Sequence, residues 1–194
     1  MVDKTSALLR VAKILHGSAI YGPGRRTVIW VQGCSLGCEG CWNDDLWPFE
    51  GGRSERIEDI IDSVGDDTEG ITLLGGEPLQ QPRAVLRLIE SAKSAGLTTM
   101  LYTGFEPHEL KGDAAAALLL SDIAVVGRYV QEKRNTSLRW RGSSNQRILI
   151  MSENYQGLEI EERNEFEIHL EEDGSINVFG YPNPEILETI LNGV

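Results

Sequence analysis

Residues 27–41 read TVIWVQGCSLGCEGC: an apolar, β-branched run that ends in glycine and meets three cysteines at C-x3-C-x2-C spacing. A short continuous apolar run closed by glycine is how a strand buried on both faces looks in sequence. The same ending recurs in ITLLGG (71–76), TTMLYTG (98–104) and IAVVG (123–127). Helical stripes lie between these runs. Ile57, Ile60, Ile61 and Val64 follow an expected cap at Ser54, and Val85, Leu88, Ile89 and Ala92 follow Pro82 and stop at Gly96. PHELKGDAAAALLL (107–120) predicts one further helix. Strand and helix therefore alternate, which predicts an α/β fold of βαβ units around a mainly parallel sheet.

Outward from this core, LLRVAKILHG (8–17) predicts a strand joined to the first core strand by the turn-rich SAIYGPGRR. QRILIM (146–151) predicts another strand. FEIHLEEDGSINVFG (166–180) breaks the pattern, because EDGS between two alternating runs signals a hairpin. A last helix is expected at about Pro184 to Leu191. No repeat or linker divides the chain. Residues 1–194 are expected to form one domain, with a core at about 27–150 and an acidic extension at 151–194.

A net charge of −12 argues against a nucleic-acid or anionic-membrane surface, which needs clustered Lys and Arg. The 41% apolar and 25% charged fractions fit a globular chain. No apolar run reaches the roughly 18–20 residues that span a bilayer. The opening MVDKTSALLR lacks a basic flank before an apolar run, so no signal peptide and a cytoplasmic location are expected. Charge is uneven: Arg128, Lys133, Arg134, Arg139, Arg141 and Arg147 face only Glu132, and Arg163 is the only Lys or Arg beyond Met151. With the chain so acidic, either a basic partner surface or this local patch is expected to govern docking.

All three cysteines of the chain, Cys34, Cys38 and Cys41, fall within eight residues, so a disulfide framework is not expected. Zinc with His16, His108 or His169 as fourth ligand is one reading, although zinc sites usually come as two short ligand pairs. Buried or redox thiols without metal are a second. The third is an iron–sulfur cluster whose fourth iron stays open, the arrangement that catalytic metals use for substrate. Every glycine-rich or polar oddity, from the cysteines and GGEP to YTGF and GRYV, falls where a strand ends, and parallel α/β folds gather their sites there.

With QGCSLGCEGCWN (32–43), LLGGEPLQ (73–80), LYTGFEPHEL (101–110) and VVGRYVQEKRNTSLRWRGSSNQR (125–147), the chain resembles the radical S-adenosylmethionine superfamily. CWN and WRGSSNQ point within it to the activating enzymes of anaerobic ribonucleotide reductase, which are glycyl-radical activases. The resemblance implies a partial (β/α)-type barrel and a [4Fe-4S] cluster on Cys34, Cys38 and Cys41. The open iron would chelate the amino and carboxylate groups of S-adenosylmethionine. Reductive S–C cleavage would then give a 5′-deoxyadenosyl radical. Gly75 and Gly76 would approach the methionine moiety and Glu77 would accept from its ammonium. Thr103 and Gly104 would line the cofactor pocket, Ser143, Ser144, Asn145 and Gln146 would contact the cofactor's polar groups, and Trp42 and Asn43 would stand beside it. No catalytic residue beyond the cluster is implied. The implied partners are a glycyl-radical enzyme and an electron donor of flavodoxin or ferredoxin type.

Departures exist. Gly40 stands where many relatives of that superfamily place an aromatic residue, and Val126-Gly127-Arg128-Tyr129 replaces the DGKF of the branch's VDGKF. A radical enzyme acting on a small molecule, such as a deazaguanine-forming ring contraction, and a one-cluster electron carrier or zinc module remain open at this level.

Overall fold

The computed structural model describes residues 8–163, 165–171, 173–180 and 188. Strand β1 (Leu8–Ser18) pairs antiparallel with both β2 (Arg26–Val31) and β3 (Arg53–Arg56). From β2 the sheet continues in parallel through β4 (Gly70–Gly75), β5 (Thr98–Thr103) and β6 (Ile123–Val126). Strand β7 (Arg147–Ile150) closes the far margin antiparallel to β6. The order β3-β1-β2-β4-β5-β6-β7 is an open sheet with a four-stranded parallel centre and antiparallel margins. The parallel strands are those the sequence writes as unbroken apolar runs, because both of their faces are covered.

Alternation within each strand assigns the two faces. Ile29, Val31, Leu73, Leu101 and Val126 pack on one side with Ile57 and Ile60 of α1 (Ile57–Asp62), Val85, Leu88 and Ile89 of α2 (Pro82–Ser94) and Leu118 of α3 (Gly112–Leu120). On the other side Val28, Trp30 and Leu74 pack with Phe179, while Met100, Ile123 and Val125 pack with Trp140, Tyr155, Leu158 and Ile160. Phe179 belongs to the expected hairpin, β8 (Phe166–Leu170) and β9 (Ile176–Gly180), paired antiparallel. The extension after Met151 therefore packs on the sheet face opposite α1, α2 and α3. Except for Glu188, the helix expected at 184–191 lies outside the described residues.

Two local expectations are corrected. Ser54 does not cap a helix: it lies in β3 opposite Arg10, because the free edge of β1 takes up that backbone, and α1 starts only at Ile57. Residues 107–120 are not one helix. Pro107–Glu109 form a single 3-10 turn, closed by Glu106 N–H donating to Glu109 Oε2 at 2.7 Å. Leu110 and Lys111 are then extended, and α3 begins at Gly112.

Asp122 joins helix to sheet. Its carboxylate is 1% exposed and accepts from Lys93 Nζ at 2.7 Å, Thr99 N at 2.8 Å and Thr99 Oγ1 at 2.9 Å. Burial alone would raise its pKa, but the Lys93 ammonium and the Thr99 donors outweigh it and hold Asp122 below the ordinary aspartate value. A depressed carboxylate stabilises the fold above the unfolded pKa and loses that contribution as pH falls through the folded one. Asp122→Asn should therefore cost about 1.5 kcal/mol at neutral pH, the low end for a hydrogen bond to a charged group, because Lys93 is partly exposed and the amide oxygen can still accept from Thr99. The gap from wild type should close below about pH 4 in urea titrations run across pH.

Candidate functional site

The chain leaves β2 at Gly33 and is returned by Gly33 N–H donating to Leu46 O (2.9 Å) and Cys34 N–H to Trp47 O (3.0 Å). The loop between them carries the cysteines, and Cys41 N–H donates to Cys38 O at 3.1 Å. The neighbouring strand end is held against it: Gly76 N–H donates to Val31 O and Glu77 N–H to Gly33 O, both at 2.9 Å. Gly76 has to be glycine, since a Cβ there would collide with the Gly33 carbonyl. Ser35 N–H donates to Gln80 Oε1 at 3.0 Å, a second tie between the two loops. Gln80 follows the GGEP motif, yet no sequence signal gave its side chain this task.

These ties turn the Glu77 carboxylate inward. It is 1% exposed and accepts from Leu79 N and Thr103 Oγ1 on Oε1 and from Gly104 N on Oε2, each at 2.8 Å. Burial pushes its pKa up to about 7 against the pull of these donors. Thr103, 4% exposed, also accepts from Phe105 N at 3.1 Å. The strand ends β4 and β5 are thus fastened through one carboxylate.

One pocket collects the four strand ends. Cys34, Cys38, Cys41, Trp42 and Asn43 line it together with Gly75, Gly76 and Glu77, Thr103 and Gly104, and Gly127 and Tyr129. Its empty volume is about 1290 Å³, part of it open to solvent. Leu36, Leu74, Tyr102 and Trp140 add apolar wall, and Arg163, Glu165 and Gly180 bring the extension into the lining. Nothing in the sequence marked the extension as part of the site; Trp140, which opens the WRGSSNQ motif, is the one non-glycine residue with positive φ (61°) among the described residues.

The cysteines suit a cluster. Burial first, then the charges of Glu77, Cys38 and Cys41, raises the Cys34 thiol, and burial and Cys41 raise that of Cys38. Raised in this way the thiols stay protonated on their own, and a cationic centre would draw off their protons on binding. Among the described residues no three His, Cys, Asp or Glu side chains gather to hold a single ion. A cubane instead takes each thiolate at a separate iron. The zinc reading loses its fourth ligand: none of the three histidines lines the pocket. His16 Nδ1 sits 3.2 Å from Thr27 Oγ1, and His169 packs edge-on to Phe179. Gly40 sits at φ 67°, where a side chain is strained, and a Cβ there would also have to displace the movable end of the Gln131 side chain.

Other sequence candidates sit elsewhere. Ser143 is fully buried, and its Oγ accepts from Val130 N at 3.2 Å. Asn145 Nδ2 donates to Arg128 O at 2.8 Å, and Gln146 Nε2 to Gly127 O at 3.0 Å. The RGSSNQ motif clasps the backbone of 127–130. Of its polar residues Gln146 lines the pocket, whereas Ser143 and Asn145 do not. Trp42 is 53% exposed on the rim, with Arg134 Cζ 5.7 Å from its ring centroid.

The basic stretch is mostly neutralised internally. Arg128 makes a bidentate pair with Glu109 (2.8 and 2.9 Å), a fork-to-fork contact that the branch's lysine could not form. It holds the Glu109 carboxyl down at about 2. Arg147 pairs with Glu106, Arg139 with Glu165 and Arg141 with Glu162. Among the described residues Lys133 and Arg134 have no such partner.

A family model described as a 4Fe-4S single cluster domain matches residues 20–149, from the β1–β2 loop to β7. The anaerobic ribonucleoside-triphosphate reductase-activating protein of Vibrio cholerae is 34% identical over 139 residues, 66% of this chain and 90% of that protein. The protein of the same name from Escherichia coli K12 is 35% identical over 137 residues, 66% of this chain and 89% of that one. The crystal structure of QueE from Escherichia coli covers 59% of this chain and 69% of that chain at 15% identity, with a TM-score of 0.44.

Proposed function

The chain belongs to the 4Fe-4S single cluster domain family, and we propose that it is a radical S-adenosylmethionine activase that installs a glycyl radical on an anaerobic ribonucleoside-triphosphate reductase. The observation that carries this is a shared pocket: the chain's three cysteines, the backbone of Gly75–Glu77 and Thr103 all line it at one end of the sheet. The names of the relatives, matched over about nine-tenths of their length, support the protein substrate over a small-molecule one.

Cys34, Cys38 and Cys41 would each hold one iron. A reduced [4Fe-4S] cluster with S-adenosylmethionine supplies the 5′-deoxyadenosyl radical that takes hydrogen from a glycine. Gly75 and Gly76 let backbone approach the methionine moiety. Glu77 keeps β4 and β5 together, and its Oε2, holding a single N–H donor, retains acceptor capacity for an ammonium group. Leu36, Leu74, Tyr102 and Trp140 keep water from the reacting atoms. A flavodoxin- or ferredoxin-type donor would supply the electron. A cytoplasmic setting accords with this chemistry, and no helix among the described residues is long and apolar enough to cross a membrane.

The test is to reduce the reconstituted protein anaerobically with S-adenosylmethionine and the reductase encoded in the same genome. A glycine-centred EPR doublet on the reductase, with 5′-deoxyadenosine formed, is the expected result. Cofactor cleavage without that doublet overturns the activase reading.

A further inference from the structure

The pocket rim carries an aromatic–cationic pair, Trp42 and Arg134. Trp42 directly follows the last cysteine and is 53% exposed, and the exposed Arg134 lies over its ring at 5.7 Å, within cation–π range. Both line the pocket. The deep residues Glu77 and Thr103 are 1% and 4% exposed, so the pair stands at the mouth and they stand at the floor.

We propose that Trp42 and Arg134 form a clamp that grips the glycine-bearing segment of the partner polypeptide, an inference that rests on the activase reading. Hydrogen abstraction requires contact between the radical carbon and the glycine Cα, so the partner backbone must cross this rim to reach the pocket. Glycine has no Cβ, which lets its peptide planes lie flat on an indole face. With its Cζ 5.7 Å from the same ring, the exposed Arg134 guanidinium has N–H groups that can donate to the carbonyl oxygens flanking that glycine. Trp and Arg are also the residue types that dominate interface hot spots.

The structure holds the clamp in place. Ser144 N–H donates to Lys133 O (2.9 Å), Asn135 N–H to Gly142 O (3.1 Å) and Val130 N–H to Ser143 Oγ (3.2 Å). The adjoining Gln131 abuts Gly40 of the cysteine loop. RGSSNQ therefore acts at one remove, by fixing the segment that brings Arg134 to Trp42. Ordering before binding lowers the entropy lost on contact. Charge agrees: Arg128, Arg139, Arg141 and Arg147 are bound to the chain's own acids, so Lys133 and Arg134 leave a local positive spot on an otherwise acidic molecule.

Binding of the reductase from the same genome to the reconstituted full chain tests the clamp, with S-adenosylmethionine affinity measured in parallel. Arg134→Ala and Trp42→Ala should each weaken reductase binding about tenfold, and Arg134→Lys less. The double variant should fall short of the product of the two, because the pair acts as one unit. In Arg134→Ala the dissociation constant for S-adenosylmethionine should stay within about twofold, since Arg134 is exposed at the mouth while Glu77 and Thr103 lie buried at the floor. Arg134→Glu leaves the cysteine loop untouched and should weaken the partner more than Arg134→Ala, which covers the case of a Trp42→Ala protein that fails to hold iron. Wild-type reductase affinity in both Arg134 variants overturns the clamp alone. So does a parallel loss of cofactor affinity, which would place the pair in the cofactor site. A wild type that neither binds the reductase nor gives the glycyl radical overturns the activase reading and the clamp together.

Discussion

Single replacement of Cys34, Cys38 or Cys41 by Ala is expected to abolish both cluster assembly and S-adenosylmethionine cleavage. The chain contains no fourth cysteine that could step in, and the three histidines are directed to other contacts or lie off the pocket lining. Each thiolate would serve its own iron, so the loss of any one leaves a second iron open to solvent in a loop that is already half exposed. Changing a residue that merely orients a ligand costs about 10–100-fold. Removing a ligand should exceed that and bring cleavage to background. Iron per chain, visible absorbance and chromatographic assay of 5′-deoxyadenosine measure the outcome. Retained cleavage in any of the three variants would remove the cluster assignment. The same variants should keep the fold, because the loop backbone is held by Gly33, Cys34 and Ser35 N–H groups and needs no thiol.

What the sequence disclosed follows from what is local. The parallel centre was legible because strands buried on both faces leave continuous apolar runs, and the site was legible because each such run ends in residues that make no sense as core. The hairpin was legible from EDGS for a similar reason. Long-range partnership left no mark. Ser54 has the chemistry of a cap, and only the free edge of β1 makes it a strand residue. Residues 107–120 carry helical periodicity, but Glu106, Glu109 and Arg128 close a separate turn that no local rule contains. The polar residues of RGSSNQ look like ligand contacts in a linear reading. Ser143, Asn145 and Gln146 also bond to backbone groups of residues 127, 128 and 130, more than a dozen positions upstream, and Gln146 lines the pocket as well. The basic stretch looked like a docking face because its neutralising acids, Glu106, Glu109, Glu162 and Glu165, lie outside it in sequence.

Glu77 is where fold and chemistry meet, and Glu77→Ala and Glu77→Gln should separate the two. Truncation to Ala strands Leu79 N–H, Gly104 N–H and the Thr103 hydroxyl around a side chain that is 1% exposed. A buried group left unsatisfied costs about 1–3 kcal/mol. The alanine variant should therefore lose roughly 3 kcal/mol of stability, part of the loss being offset because a carboxylate that burial holds near its proton is no longer there. It should also lose cofactor affinity, since β4 and β5 are no longer fastened at the pocket floor. Gln has the shape of the protonated acid and retains an amide oxygen for Leu79 N–H and Thr103. Its nitrogen would face Gly104 N–H, so some stability is lost, but less than in Ala. If the carboxylate charge holds the ammonium of S-adenosylmethionine, Glu77→Gln should bind the cofactor about tenfold or more weakly. Its cluster and most of its denaturation midpoint should be retained. Equal cofactor affinity in Gln and wild type, with loss only in Ala, would mean that Glu77 serves the strand ends and that the ammonium is met by the backbone of Gly75 and Gly76.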